Sequence, residues 1–112
     1  MVDQVVAERS VTLGQMNDNF FVISRAGKER KFDSNKIYIA IDKAFAAVFE
    51  NKSDIGISRQ RIVELTQNAS SKIIENFKDT GHVSVEDIQD QVIRTLMNNK
   101  EYEVVQAYIL YR

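Results

Sequence analysis

The chain predicts an α+β domain in which a small two- to three-stranded antiparallel sheet, a β-hairpin cap, sits on a bundle of about four α-helices. Three observations predict it. Phe20 to Arg25 is apolar and β-branched, Ala26-Gly27 interrupts it, and Lys28 to Phe32 resumes with apolar and polar residues mixed, the pattern of a short hairpin. Downstream, apolar residues recur at spacings of three and four, which places them on one face of a helix. Polar stretches punctuate these runs, and no proline occurs anywhere in the chain.

The elements follow in order. Residues 1–19 carry little core signal: Val2, Val5, Val6, Ala7, Val11 and Leu13 are scattered, and Gly14 to Asn19 is polar and turn-like. They read as a tail or connector, with the domain proper spanning 20–112. After the hairpin, Asp33 or Ser34 caps a first helix whose inward stripe is Ile37, Ile41, Ala44, Phe45 and Val48. The polar run Glu50 to Gly56 ends it. Ser58 is an N-cap for a second helix with the stripe Ile62, Leu65, Ala69, Ile73 and Phe77, which stops near Asp79-Thr80-Gly81. His82 and Val83 add one short strand beside the hairpin. Ser84-Val85-Glu86-Asp87 is a capping-box-like start for a third helix with Ile88, Val92 and Leu96 inward. Asn98-Asn99-Lys100 breaks it, and Tyr102, Val105 and Ile109 mark a last helix with no stop signal, so the parent chain is expected to continue past Arg112.

Composition bounds the function classes. A chain of 112 residues with 44% hydrophobic residues buries one core and is too short for an enzyme plus a regulatory domain. Without cysteine it has neither a disulfide framework nor a thiolate metal site, which fits a reducing, cytoplasmic setting. No apolar run approaches the roughly 20 residues of a membrane span, and the N-terminus lacks the pattern of a signal peptide.

Charge is concentrated in one place. Between Ser24 and Lys36 stand Arg25, Lys28, Arg30, Lys31 and Lys36 against Glu29 and Asp33, a local balance of +3 in a chain whose net charge is -1. A cationic turn beside a helix N-terminus holds polyanions such as a triphosphate, because unpaired backbone N–H groups, the helix dipole and the side chains converge. The plainer alternative is a solvated face. Catalysis finds little support. His82 is the single histidine, no Ser/His/Asp order is present, and Glu86, Asp87 and Asp90 near a helix start serve the dipole more often than they hold a metal.

Read as a string, FFVISRAGKERKFDSNKIYIAI resembles the opening of the ATP-cone domain of ribonucleotide reductases, with its V-x-K-R-D-G, F-D-x-x-K-I and A-I-x-K-A-F elements. Val22, Arg25, Gly27, Phe32, Asp33, Lys36, Ile37, Ala40, Ile41, Lys43, Ala44 and Phe45 match. Val83-Ser84-Val85-Glu86-Asp87-Ile88-Gln89-Asp90 is similar to the family's V-S-V-E-x-I-Q-D segment, and Ala107 to Arg112 to its A-Y-I-x-Y-R ending. Three separated blocks in the right order cover Phe20 to Arg112.

The resemblance implies a regulatory domain that binds ATP or dATP as allosteric effector, with Mg²⁺, and controls activity through oligomeric state. It implies adenine nucleotides, other reductase subunits or a second copy as partners, no direct nucleic acid and no membrane, and ribonucleoside-diphosphate reductase as parent. Carried over by position, Val22 helps form the adenine pocket and Arg25, Lys31 and Lys36 hold phosphates. Phe32 and Asp33 flank them, Val85 and Gln89 line the nucleotide from the third helix, and Leu110 supplies a wall. Val22, Val85 and Leu110 also fit plain core positions, and Asp33 a simple N-cap. Two positions depart from the pattern: Ser24 stands where the family has lysine, and Arg30 where it often has an acid. Glu29, one position earlier, points to the other side unless the hairpin carries a bulge. A degenerate cone serving subunit contacts therefore stands as an alternative, as does the cone of a nucleotide-dependent repressor of reductase genes, although the cysteine-based zinc ribbon of that repressor is missing before Phe20.

Overall fold

The computed structural model describes residues 16–49 and 58–112, so the expected tail through Gln15 and the expected connector Glu50 to Gly56 lie outside the described residues. Strand β1 (Met16–Ile23) pairs antiparallel with β2 (Glu29–Asp33), giving the expected hairpin. β1 is longer than its apolar signal: Met16 and Asn17 already pair with Asp33 and Phe32. A register shift between Asn17 and Phe21 separates that outer pairing from the regular part. The third strand, β3 (His82–Ser84), lies on the other side of β1 and runs parallel to it, so the sheet order is β2-β1-β3 and the sheet is mixed. The reason is connectivity. β3 follows a long helix that returns the chain beside Phe21, where it re-enters the sheet in the direction of β1, and such a crossover delivers a parallel neighbour.

Alternation decides which side of the sheet is covered. Phe20, Phe32 and Val83 are buried on the inner face, where Val22 sits between Arg30 on one neighbour and Val83 on the other. Phe20 and Phe32 meet edge to face at 5.5 Å between ring centroids. The outer face carries Ile23 opposite Glu29 and Phe21 opposite Lys31.

Among the described residues four helices pack beneath: α1 (Ser34–Phe49), α2 (Ser58–Phe77), α3 (Val85–Asn98) and α4 (Tyr102–Tyr111). Most of the expected stripes are buried, Ile37, Ile41, Ala44 and Phe45 on α1, Ile62, Leu65, Ala69 and Ile73 on α2, and Val92 and Leu96 on α3, each large side chain worth about 1.5–3 kcal/mol, whereas Val48, Phe77 and Ile88 are half-buried against them. On α4 the buried residues are Val104, Val105 and Tyr108, whereas Tyr102 and Ile109 face solvent. The helix is rotated from the expected phase because the strongest apolar pair, Val104-Val105, takes the inward position. α1 packs against both α2 and α4, and α3 bridges α2 to α4.

The helix ends are closed by local chemistry. Ser84 caps α3, its hydroxyl accepting from the Asp87 amide at 3.0 Å, with Glu86 and Asp87 in the first turn. After α2 the Gly81 amide donates to the Phe77 carbonyl, Gly81 takes φ +80, and its carbonyl accepts from the Phe21 amide at 2.9 Å. Arg61 on α2 fixes the α3–α4 corner, donating to Glu101 at 3.0 Å and to the Asn99 carbonyl at 3.2 Å.

Two hydroxyls on α2, Thr66 Oγ1 and Ser70 Oγ, are buried without a hydrogen-bond partner among the described residues. A buried unpaired hydroxyl costs stability that an apolar replacement of the same shape does not. Thr66→Val and Ser70→Ala are therefore expected to leave stability unchanged or raise it by up to about 1 kcal/mol in urea unfolding. A loss larger than that would mean the hydroxyls are paired.

Candidate functional site

Between the inner face of the sheet and helices α1, α3 and α4 lies a cavity of about 400 Å³. Its polar side comes from β2 and the start of α1: Arg30, Asp33 and Lys36, with Lys31, which borders the cavity from the edge strand although alternation sets it on the outer face. Its apolar side comes from Val22 on β1, Phe32 on β2, Ile37 and Ala40 on α1, and Val85 and Ile88 on α3. Ser24, Gln89 and Tyr108 complete it. A cavity with an apolar wall and a convergent cationic edge suits a ligand with a flat apolar part and an anionic tail.

Local structure explains how these groups are held. The turn between β1 and β2 is a three-residue loop: the Gly27 amide donates to the Ser24 carbonyl at 2.9 Å, and Ser24 and Lys28 close it with a 2.8 Å backbone bond. Gly27 supplies the left-handed residue, φ +83, that this loop needs. A Cβ there meets nothing within 4 Å, so Gly27→Ala is expected to cost only the conformational term, about 1–2 kcal/mol, without a steric contribution. Thermal unfolding of that variant would measure it. The Ser24 hydroxyl accepts from the Lys28 amide at 3.0 Å, so the residue that replaces the family's lysine is tied into the turn while also lining the cavity. Asp33 accepts from the Asn35 amide at 3.0 Å, an aspartate cap on α1, and like Lys36 it lines the cavity.

Nine of the eleven candidate residues line this one cavity: Val22, Ser24, Arg30, Lys31, Phe32, Asp33, Lys36, Val85 and Gln89. Arg25 and Leu110 do not. Arg25, on the turn, donates through Nε to Glu86 Oε2 at 2.7 Å, and both side chains are exposed. That bond holds the Glu86 carboxyl below the usual carboxylate range. Leu110 is 87% exposed. Two residues apart on a helix is about 200° of rotation, so Leu110 and the inward-facing Tyr108 lie on opposite sides of α4.

Tyr108 is the wall residue that the sequence reading passed over, together with Ile37, Ala40 and Ile88. Its position three residues after Val105 was the available signal. Burial pushes its hydroxyl up to about 12, against the pull of Arg112 and with a push from Asp90, so it stays a neutral O–H group at physiological pH. Glu29 pairs regularly with Ile23 and does not line the cavity, because the register shift lies at the far end of the hairpin. Arg30 thus occupies the position where the motif often carries an acid. Among the described residues no group of three or more histidines or carboxylates forms a metal cluster. No described helix is long and apolar enough to cross a membrane.

Lys36, Ala40, Gln89 and Tyr108 also face a second depression of about 320 Å³, which continues between α1 and the end of α4 past Ile39, Lys43, Tyr111 and Arg112.

Comparison with known proteins coincides with this geometry. The model of the ATP cone domain matches residues 20–112, the stretch that builds the cavity from Val22 to Tyr108. The ribonucleoside-diphosphate reductase subunit alpha of Chlamydia pneumoniae is 32% identical over 98% of this chain and 10% of its own length. The subunit alpha of Chlamydia trachomatis is 37% identical over 81% of the chain and 9% of its own length. A vitamin B12-dependent ribonucleoside-diphosphate reductase of Thermoplasma acidophilum is 32% identical over 81% of the chain and 11% of its own length. The chain thus spans about a tenth of the length of these relatives, and it belongs to the ATP-cone domain family.

Proposed function

We propose that residues 20–112 form the regulatory cone of a ribonucleotide reductase, that ATP and dATP compete for the cavity beneath the hairpin, and that the bound nucleotide sets the oligomeric state of the parent enzyme in the cytoplasm. The observation that carries this reading is the division of the cavity: Val22, Ile37, Val85 and Ile88 offer a slot for the base, and Arg30, Lys31 and Lys36 offer cations for the phosphates. Its volume of about 400 Å³ falls within the roughly 300–1,000 Å³ of ligand pockets. Mg²⁺ enters with the nucleotide, held chiefly by phosphate oxygens and water.

ATP and dATP differ by one ribose hydroxyl, so discrimination rests on how the sugar packs and on which assembly that packing favours. Reciprocity then requires the assembled form to bind its preferred nucleotide more tightly. A second reading, a cone that has lost nucleotide binding and serves subunit contacts, is favoured by Ser24 and Arg30 alone.

Calorimetric titration of the chain with ATP, dATP and GTP in the presence of Mg²⁺, with the solution mass measured at each endpoint, separates them. Saturable heat with the adenine nucleotides, none with GTP, and a mass change with dATP supports the regulatory cone. Absence of heat with every nucleotide, together with self-association that ignores them, would sink it in favour of the contact module.

A further inference from the structure

The β1–β2 turn and the first turn of α3 lie 61 positions apart in sequence and are joined by the ion pair of Arg25 with Glu86. Both ends are held by their own backbones. The turn is closed by Ser24 and Gly27, and Glu86 lies two residues past the Ser84 cap of α3. The chain neighbours of the two partners, Ser24 and Val85, both line the cavity, so the pair sits at its edge and ties one wall to another.

The side chains are 68% and 54% exposed, which decides the character of the contact. An exposed pair is weak enough to exchange partners. A guanidinium that holds a carboxylate presents the same fork of donors that holds a phosphate. A polyanion drawn by Arg30, Lys31 and Lys36 into the adjoining cavity would find Arg25 at its edge already engaged by a carboxylate.

We propose that Glu86 is an internal competitor for the Arg25 guanidinium: it occupies that cation until a polyphosphate takes it over, and so sets the affinity of the cavity for anionic ligands without touching them. Glu86 is then a positioning residue acting through Arg25, and ligand entry loosens the tie between the hairpin and α3. The inference rests on the reading of the cavity as a nucleotide site.

The test is a set of titrations with ATP and, separately, with inorganic tripolyphosphate, at physiological salt, where through-space charge effects are screened. Glu86→Gln is expected to bind both probes about two- to fivefold more tightly, the range an exposed pair is worth. Arg25→Met binds more weakly, and in that background Glu86→Gln changes nothing, as a double-mutant cycle requires of a residue that acts through its partner. Glu86→Asp, which keeps the charge, behaves as the unaltered chain. Asp87→Asn, which removes an equal charge one position away, leaves affinity unchanged.

Glu86→Gln binding no more tightly than the unaltered chain overturns the proposal. So does a gain that persists without Arg25 or that Asp87→Asn reproduces. The expected pattern with tripolyphosphate but no binding of ATP would keep the competitor and discard the nucleotide reading. ATP binding indifferent to Glu86→Gln does the reverse, and no binding of either probe by any variant overturns both.

Discussion

Lys36→Glu is expected to abolish binding of ATP and dATP, with a loss of at least about 100-fold, while the domain stays as stable as before or gains slightly. The binding loss follows from the place of Lys36 in the cationic edge of the cavity. A hydrogen bond between charged groups contributes about 1.5–3 kcal/mol, and the substitution replaces it with repulsion of the phosphates. The stability expectation has a separate cause. Lys36 is exposed in the first turn of α1, which contains no acidic residue, so the change places a negative charge where the helix dipole favours one, by about 0.3–1 kcal/mol. Calorimetric titration and urea unfolding of the same preparation give both numbers. Retained affinity in a folded Lys36→Glu chain would remove the phosphate assignment of the β2–α1 edge.

The largest effect on stability is expected from Phe32→Ala. Phe32 is 1% exposed, the one buried residue of β2, and packs edge to face on Phe20 of β1 within the core. Truncating a buried phenylalanine costs about 3–5 kcal/mol, against a total of about 5–15 kcal/mol for a domain. The melting temperature should fall by more than about 10 °C. Nucleotide affinity should fall as well, because Phe32 also lines the cavity. Lys36→Glu and Phe32→Ala thus separate the two ways of losing binding: one removes a contact from an intact fold, the other removes the fold that holds the contacts. A cost below about 1 kcal/mol for Phe32→Ala would mean that the sheet does not cap this core.

Much of the fold was legible because burial writes itself into spacing. The stripes on α1, α2 and α3, the hairpin at Ala26-Gly27 and the Ser84 cap are local patterns, and the structure realises each of them. Three things were not local. The direction of β3 depends on where α2 returns the chain, which no residue in His82–Ser84 encodes. The outer stretch of β1 contains the polar run Asn17-Asp18-Asn19, which reads as a turn, yet Met16 and Asn17 pair with Asp33 and Phe32 of β2 through their backbones. The phase of α4 is ambiguous because it is apolar nearly all round, and Tyr102, Ile109, Leu110 and Tyr111 are exposed while Val104, Val105 and Tyr108 are buried. The same ambiguity explains why Leu110 stood in for Tyr108 as a wall of the cavity. Arg25 stands outside the lining for another reason: motif position finds a cation near the site, but a carboxylate 61 positions away engages it at the edge.

The parallel strand β3 carries a kinetic consequence. β1 and β2 are joined by a short turn and can close at once, whereas pairing Val22 with Val83 must wait for a loop of about 60 residues to be ordered, chiefly through α2. Val85, Ile88 and Gln89 follow β3 directly, so the α3 wall of the cavity arrives with that late, long-range step. During synthesis the hairpin with its cations emerges first, as half a site facing water. A ligand that needs both walls therefore has no complete site until this late step is made, and by mass action it would favour the chain in which both walls are in place.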